Sequence, residues 1–141
     1  MKMKRKIRFI LCLVLVALLA VAAFSACKSK EIPSPEGDAI VLGTGANTLE
    51  LSVTFADGHT DAYRIKTDEE TVGAALLAHD LVAGDVTAYG LMITSVAGEL
   101  ADWDADGAYW AFYVDGEYAL AGADSTPIEE GSSYAFVYTK G

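Results

Sequence analysis

The chain has 141 residues, of which 20 are acidic and 10 basic, and its formal net charge is −10. Five of the basic residues lie in the first eight positions, so the segment after residue 26 carries 20 acidic and five basic side chains, a net charge of −15. This charge excludes a nucleic-acid-binding protein, because binding to phosphates requires clustered Lys and Arg. The length is that of one domain with one core.

The first 26 residues have the three parts of a secretory signal. Residues 1–8 are rich in Lys and Arg, residues 9–24 form an apolar run, and two small residues then precede Cys27. The run of 16 residues is shorter than the roughly 20 that cross a bilayer. We therefore expect residues 1–26 to be a signal peptide that is cleaved.

The residues around this cleavage point, Phe24-Ser25-Ala26-Cys27, resemble the lipoprotein box of bacteria, with Phe24 where Leu is usual. The resemblance implies that Cys27 is acylated and anchors an extracytoplasmic protein to the outer face of the bacterial cell membrane. An uncleaved anchor and an ordinary signal peptide are the alternatives. Because Cys12 leaves with the signal, no thiol remains for a disulfide, a zinc site or a nucleophile.

Residues 27–46 are predicted to be a flexible linker between the lipid and the domain. They contain Pro33, Pro35 and several small residues, and they show no sustained hydropathy period. Such a composition is typical of a semi-extended spacer. Its later part, residues 39–42, is compatible with a short edge strand.

The folded domain, residues 47–141, is predicted to open with a β-hairpin. Apolar and polar residues alternate over residues 48–55, which indicates a half-buried strand. Asp57-Gly58 is a favourable hairpin turn. The returning strand places Tyr63 and Ile65 on one face.

One helix is predicted after the hairpin. Thr67 or Asp68 can cap its first turn, and apolar residues at helical spacing continue to about Leu81. Gly84 lies just beyond, where a left-handed residue commonly ends a helix.

The second half of the domain is predicted to consist of strands. Four segments have strand character, with Asp115-Gly116 as a turn between two of them: residues 89–96, 109–114, 117–120 and 134–139. One helix among several strands predicts an α+β domain, with the helix packed on a twisted sheet.

Three segments of this domain together are similar to a known family: residues 70–77, residues 89–98 and Tyr109-Trp-Ala-Phe-Tyr-Val-Asp-Gly-Glu-Tyr118. They resemble the DUF4430 family, the transcobalamin-like C-terminal domain of bacterial surface proteins, over about residues 48–140. The resemblance implies a β-grasp-like fold, one helix on a mixed sheet of about five to seven strands. In the vitamin-carrying relatives this domain closes over cobalamin against a helical barrel. With one helix predicted after residue 26, cobalamin binding implies a partner or a weaker single-domain mode.

Aromatic residues are concentrated late in the chain, where nine of the twelve that follow Cys27 lie between positions 103 and 138. Aromatic faces stack on flat ligands and on sugar rings, but alternating aromatic residues on strands also build cores. The ligand-binding candidates are the four in or beside loops, Tyr89, Trp103, Tyr109 and Tyr118.

Asp102, Asp104 and Asp106, followed by Gly107, match the first half of a calcium-binding loop. The second half fails, because Tyr113 stands at the twelfth position, where a bidentate Glu is needed. These three residues are therefore a weak calcium candidate, and an acidic, solvated loop is the favoured interpretation.

No catalytic motif accompanies the two histidines, His59 and His79, and the chain is predicted not to be an enzyme. Two functions remain. The first is a membrane-anchored lipoprotein that binds a small molecule such as a corrinoid for an importer. The alternative is a cell-surface module that binds an envelope protein or a polysaccharide and has no small-molecule pocket.

Overall fold

A computed structural model describes residues 38–141 of the protein. The predicted signal peptide, Cys27 and most of the predicted linker lie outside the described residues. Within residues 38–141, no helix combines the length and the apolar character that a membrane span requires.

The described chain contains nine strands, two short helices and one 3-10 turn. In chain order they are β1 (Ile40–Gly43), β2 (Asn47–Thr54), β3 (Thr60–Thr67), α1 (Val72–Ala78), β4 (Val82–Thr87), β5 (Gly90–Val96), β6 (Glu99–Leu100), α2 (Trp103–Asp106), β7 (Ala108–Val114), β8 (Glu117–Tyr118), the turn Ala123–Ser125 and β9 (Ser133–Lys140).

Six strands form one mixed sheet in the order β1-β3-β2-β9-β7-β8, and the remaining three form a second sheet in the order β4-β5-β6. In the larger sheet β2 and β3 make an antiparallel hairpin, and the last strand, β9, lies parallel to β2 at the centre. β7 runs antiparallel to β9. This arrangement confirms the predicted α+β, β-grasp-like fold with one main helix on a mixed sheet.

The core lies between α1 and one face of the larger sheet. Strand alternation places Leu49, Leu51 and Val53 of β2 on this face, and Leu51 and Val53 pair in register with Tyr134 and Phe136 of β9. From the helix, Val72, Ala75 and Leu76 are completely buried in the same cluster. Each buried Val or Leu side chain of this cluster stabilises the fold by about 1.5–3 kcal/mol.

The predicted start of the helix is wrong. α1 begins at Val72, and the Thr71 hydroxyl accepts a hydrogen bond from the Ala74 amide at 3.3 Å. Thr67 does not cap it, because it is the last residue of β3, paired with Asn47 and buried. The helix also ends early, at Ala78, and Asp80 adopts a left-handed conformation with φ 54°.

Gly84 does not end the helix, because it lies inside β4, a strand that the sequence analysis missed. A Cβ atom on Gly84 would lie 1.9 Å from the Met92 carbonyl oxygen, so the glycine allows β4 and β5 to approach closely. The register shifts here, and Thr94 is the extra residue on β5. This bulge turns Ile93 and Val96 to the same face of the small sheet.

Candidate functional site

The β4–β5 hairpin ends in an exposed apolar patch. Val86 and Tyr89 are 87% and 101% exposed, and Leu120, from the loop after β8, is 104% exposed. We call Val86, Tyr89 and Leu120 the hairpin-tip patch. Val86 lies near the end of β4, Tyr89 in the β4–β5 turn and Leu120 in the loop after β8. Single exposed apolar side chains are common, but several on segments that contact each other suit a binding surface.

Asp124 joins the two segments that carry this patch. Its carboxylate accepts a hydrogen bond from the Leu91 amide at 3.1 Å. A Cβ atom on Gly90, the residue after Tyr89, would lie 2.7 Å from Oδ2 of Asp124. A Cβ atom on Gly122, two residues after Leu120, would lie 2.7 Å from Oδ1 of Asp124. The two glycines therefore let the hairpin and the loop approach the Asp124 side chain closely, which connects the two segments that carry the patch.

A second surface lies on the face of the larger sheet that points away from α1. Alternation along β7 turns Tyr109 and Tyr113 to this side, and Tyr118 of β8 is paired with Tyr113. The ring centroids of Tyr113 and Tyr118 are 5.6 Å apart with an interplanar angle of 85°, and those of Trp103 and Tyr109 are 6.1 Å apart at 61°. We call these four residues the aromatic corner.

The two ring pairs of the corner are neighbours. Burial raises the pKa of Tyr118, and the adjacent Tyr109 and Tyr113 raise it further. Three of the rings remain accessible, since Trp103 is 61%, Tyr118 57% and Tyr109 37% exposed. The corner therefore presents both ring faces and ring edges to solvent.

The aspartates of the calcium candidate form a helical turn. Asp102 caps α2, and its Oδ1 accepts hydrogen bonds from the amides of Asp104 and Ala105 at 2.9 and 3.1 Å. Gly107 ends the turn in a left-handed conformation. Across residues 38–141 there is no group of three or more His, Cys, Asp or Glu side chains that could hold a metal ion.

The four predicted ligand-binding residues divide between the two surfaces. Trp103, Tyr109 and Tyr118 meet in the aromatic corner, whereas Tyr89 lies in the hairpin-tip patch. Val86, Leu120 and Asp124 were missed, because their significance comes from contacts between segments that are distant in the chain. Tyr113 was missed as well, because the sequence pattern indicated only that it lies inside a strand.

Both histidines make packing or hydrogen-bond contacts within the domain. His59 lies in the β2–β3 turn, where its ring stacks on Phe55 with centroids 4.3 Å apart and its Nδ1 bonds to Asp57. The hydrogen bond from the His59 amide, and then the one from its ring, lower the pKa of Asp57. The ring of His79 lies against Gly43 at the end of β1.

One main helix on a mixed sheet defines a β-grasp-like domain, and the comparisons with known proteins agree with this fold. The chain belongs to the family described as a domain of unknown function, DUF4430, which matches residues 69–140. A crystal structure of a candidate metal-binding protein from Ruminococcus gnavus is 29% identical, with a TM-score of 0.65 over 68% of this chain and 99% of that protein.

The fold is also similar to that of haptocorrin in complex with Cbi, with a TM-score of 0.50 and 19% identity. That match covers 82% of this chain but 29% of haptocorrin. None of the curated proteins matches the chain significantly.

Proposed function

We propose that the protein is a lipoprotein on the outer face of the cell membrane, held by a lipid on Cys27, that binds a small molecule such as a corrinoid and passes it to an importer. The observation that carries the binding role is the hairpin-tip patch, an apolar surface on a domain whose fold is shared with part of a corrinoid-binding complex. The lipid anchor rests on the sequence around Cys27 alone.

The geometry of the patch supports this role. Val86 and Tyr89 come from the hairpin and Leu120 from another loop, so a flat ligand would contact both segments at once. Asp124 holds these segments before any ligand arrives, and a preorganised surface loses less conformational entropy on binding. A one-sided ligand covers only part of each side chain, so each contributes a fraction of the about 1.5–3 kcal/mol that full burial gives.

The patch is one-sided, which limits affinity. The match covers 29% of haptocorrin, and binding pockets for small molecules usually bury most of the ligand. We therefore expect weak binding by this chain alone and tighter binding when a second surface, on a partner such as the importer, covers the other side of the ligand.

Equilibrium dialysis of the full chain in a non-ionic detergent, with cobinamide or cyanocobalamin as ligand, tests the binding role. We expect Val86→Ser/Tyr89→Ser to weaken binding about tenfold or more, as the loss of two apolar contacts implies. Met92→Ser is the matched control. Met92 is 61% exposed on the same hairpin, but it pairs with Asp85 and therefore lies on the face of the hairpin opposite to Val86. No binding at millimolar corrinoid, or equal loss in the control, would reject the proposal.

The anchor is tested independently by cell fractionation and mass spectrometry. Cys27→Ser should abolish acylation and remove the mature protein from the membrane fraction, because one cysteine carries the lipid. Cys12→Ser, inside the predicted signal, should leave both unchanged. An unacylated Cys27 in the native protein would disprove the anchor and leave the binding role open.

A further inference from the structure

The aromatic corner is distinct from the hairpin-tip patch, and the proposed function does not use it. Its four rings form two edge-to-face pairs that share one corner of the sheet surface. Three of the four rings are at least 37% exposed. Rings set at such angles can place two faces around one small group.

One exposed carboxylate adjoins the corner in the chain, that of Asp104 on α2, next to Trp103. Burial, and then the charge of Asp106, raise the pKa of Tyr138, which pairs with Trp110 on the helix side of the sheet. Glu117 pairs with Val114, on the helix side as well.

The cations of the described chain are remote or turned away. Arg64 bonds to Glu50 at 2.6 Å and Lys66 to the Thr48 hydroxyl at 3.0 Å, both on β3. Two strands, β2 and β9, separate β3 from β7, a distance of about 14 Å at the usual strand spacing, which exceeds a Debye length of about 8–10 Å. Lys140 pairs with buried Ala108, on the helix side of the sheet.

We propose that the aromatic corner, Trp103, Tyr109, Tyr113 and Tyr118, binds a small organic cation of the quaternary-ammonium type. Aromatic faces attract a cation within about 6 Å of the ring centroid, and Trp attracts it best. The net negative charge of the chain also favours a cation over an anion at this surface.

The quaternary group is preferred over a primary ammonium or a guanidinium. Those groups carry N–H donors that lose water bonds when they enter a site lined by rings, and an unsatisfied donor is costly. A quaternary ammonium has no donor to lose, and its methyl groups also cover apolar ring surface.

Titration of the full chain in a non-ionic detergent, followed by tryptophan fluorescence, tests the site with choline and its neutral carbon isostere, 3,3-dimethyl-1-butanol. Trp103 reports the site, because Trp110 is 7% exposed. We expect saturation at roughly millimolar choline and a response to the isostere at least about tenfold weaker. Equal responses to the two compounds would overturn the proposal, because the charge would then contribute nothing.

One pair of ring variants and one charge variant separate the contribution of the rings from that of the charge. Tyr118→Phe keeps the ring and should retain choline binding, whereas Tyr118→Leu keeps an apolar side chain without the ring and should lose it. Asp104→Asn, which leaves the rings intact, should weaken binding about twofold at low salt and little at high salt. Unchanged binding in Tyr118→Leu, or in the charge variant at low salt, would contradict the assignment.

Discussion

The two tryptophans show how one short stretch of sequence supplies both the core and an exposed surface. Trp110 lies on the helix side of β7, 7% exposed, and its indole donates to the Glu99 carbonyl oxygen at 3.1 Å. Trp103, seven positions earlier, is 61% exposed on α2. Both rings meet other rings edge to face, Trp110 with Phe55 and Tyr138 and Trp103 with Tyr109. Aromatic pairing alone therefore does not distinguish a core from a binding surface, whereas burial does.

Replacing each tryptophan in turn tests most directly whether Trp110 belongs to the core and Trp103 to the surface. Trp110→Ala should lower the free energy of unfolding by about 3–5 kcal/mol, because it leaves a cavity in the core. Trp103→Ala should lower it by at most about 1 kcal/mol, as for most surface changes. Urea unfolding followed by circular dichroism measures both, and a similar loss in the two variants would show that Trp103 belongs to the core.

Gly84→Ala extends the comparison to the small sheet. Its Cβ would lie 1.9 Å from the Met92 carbonyl oxygen, so β4 and β5 must separate, at a cost of about 1–3 kcal/mol. Asp85→Ala, the next residue and an exposed one, is the control and should have little effect. A neutral Gly84→Ala, measured by thermal unfolding, would mean that the two strands do not approach this closely.

Asp124→Ala tests whether the hairpin tip is held in place. Loss of the hydrogen bond from the Leu91 amide should cost about 1 kcal/mol and should accelerate hydrogen exchange at Leu91, while exchange in β2 and β9 stays slow. Ser125→Ala, an exposed change in the same 3-10 turn, should leave the exchange unchanged. Unaltered exchange at Leu91 in Asp124→Ala would show that Asp124 does not hold the hairpin tip in place, and the patch would then not be preorganised.

The smallest expected effect concerns Tyr63, on the core face of β3. Burial, and then the charge of Asp61, raise the pKa of the Tyr63 phenol above its ordinary value of 10.0. The folded state therefore favours the neutral phenol, and this contribution is present below pH 10 and is lost as the pH rises through the raised pKa. As the pH is raised from about 9 to 11, the free energy of unfolding should fall less in Tyr63→Phe than in the native chain. Parallel unfolding curves of the two proteins over that range would contradict this.

Local sequence pattern predicted the strands of the larger sheet well, because alternation over β2 and β9 reports one buried face directly. It misplaced the helix, since Thr67, Asp68 and Thr71 can all cap a first turn and only the pairing of Thr67 with Asn47 extends β3 to that residue. It missed β4, whose exposed residues and Gly84 carry no strand pattern.

The candidate surfaces were predictable only in part. Loop position was enough to select Tyr89, Trp103, Tyr109 and Tyr118 as exposed. It did not indicate that Tyr113 would pair with Tyr118, which depends on the β7–β8 register, or that Tyr89 would lie apart from the other three.

Periodicity and composition by themselves determined the α+β class and the acidic surface, because each is a property of neighbouring residues. The signal peptide and the lipid on Cys27 stay predictions from the sequence. Only the tertiary structure decided that Asp124 joins the hairpin to the loop carrying Leu120, and that four aromatic rings from α2, β7 and β8 share one corner. Such meetings depend on strand register and on close backbone approach at glycines, which arise when distant segments pack and leave no local pattern in the chain.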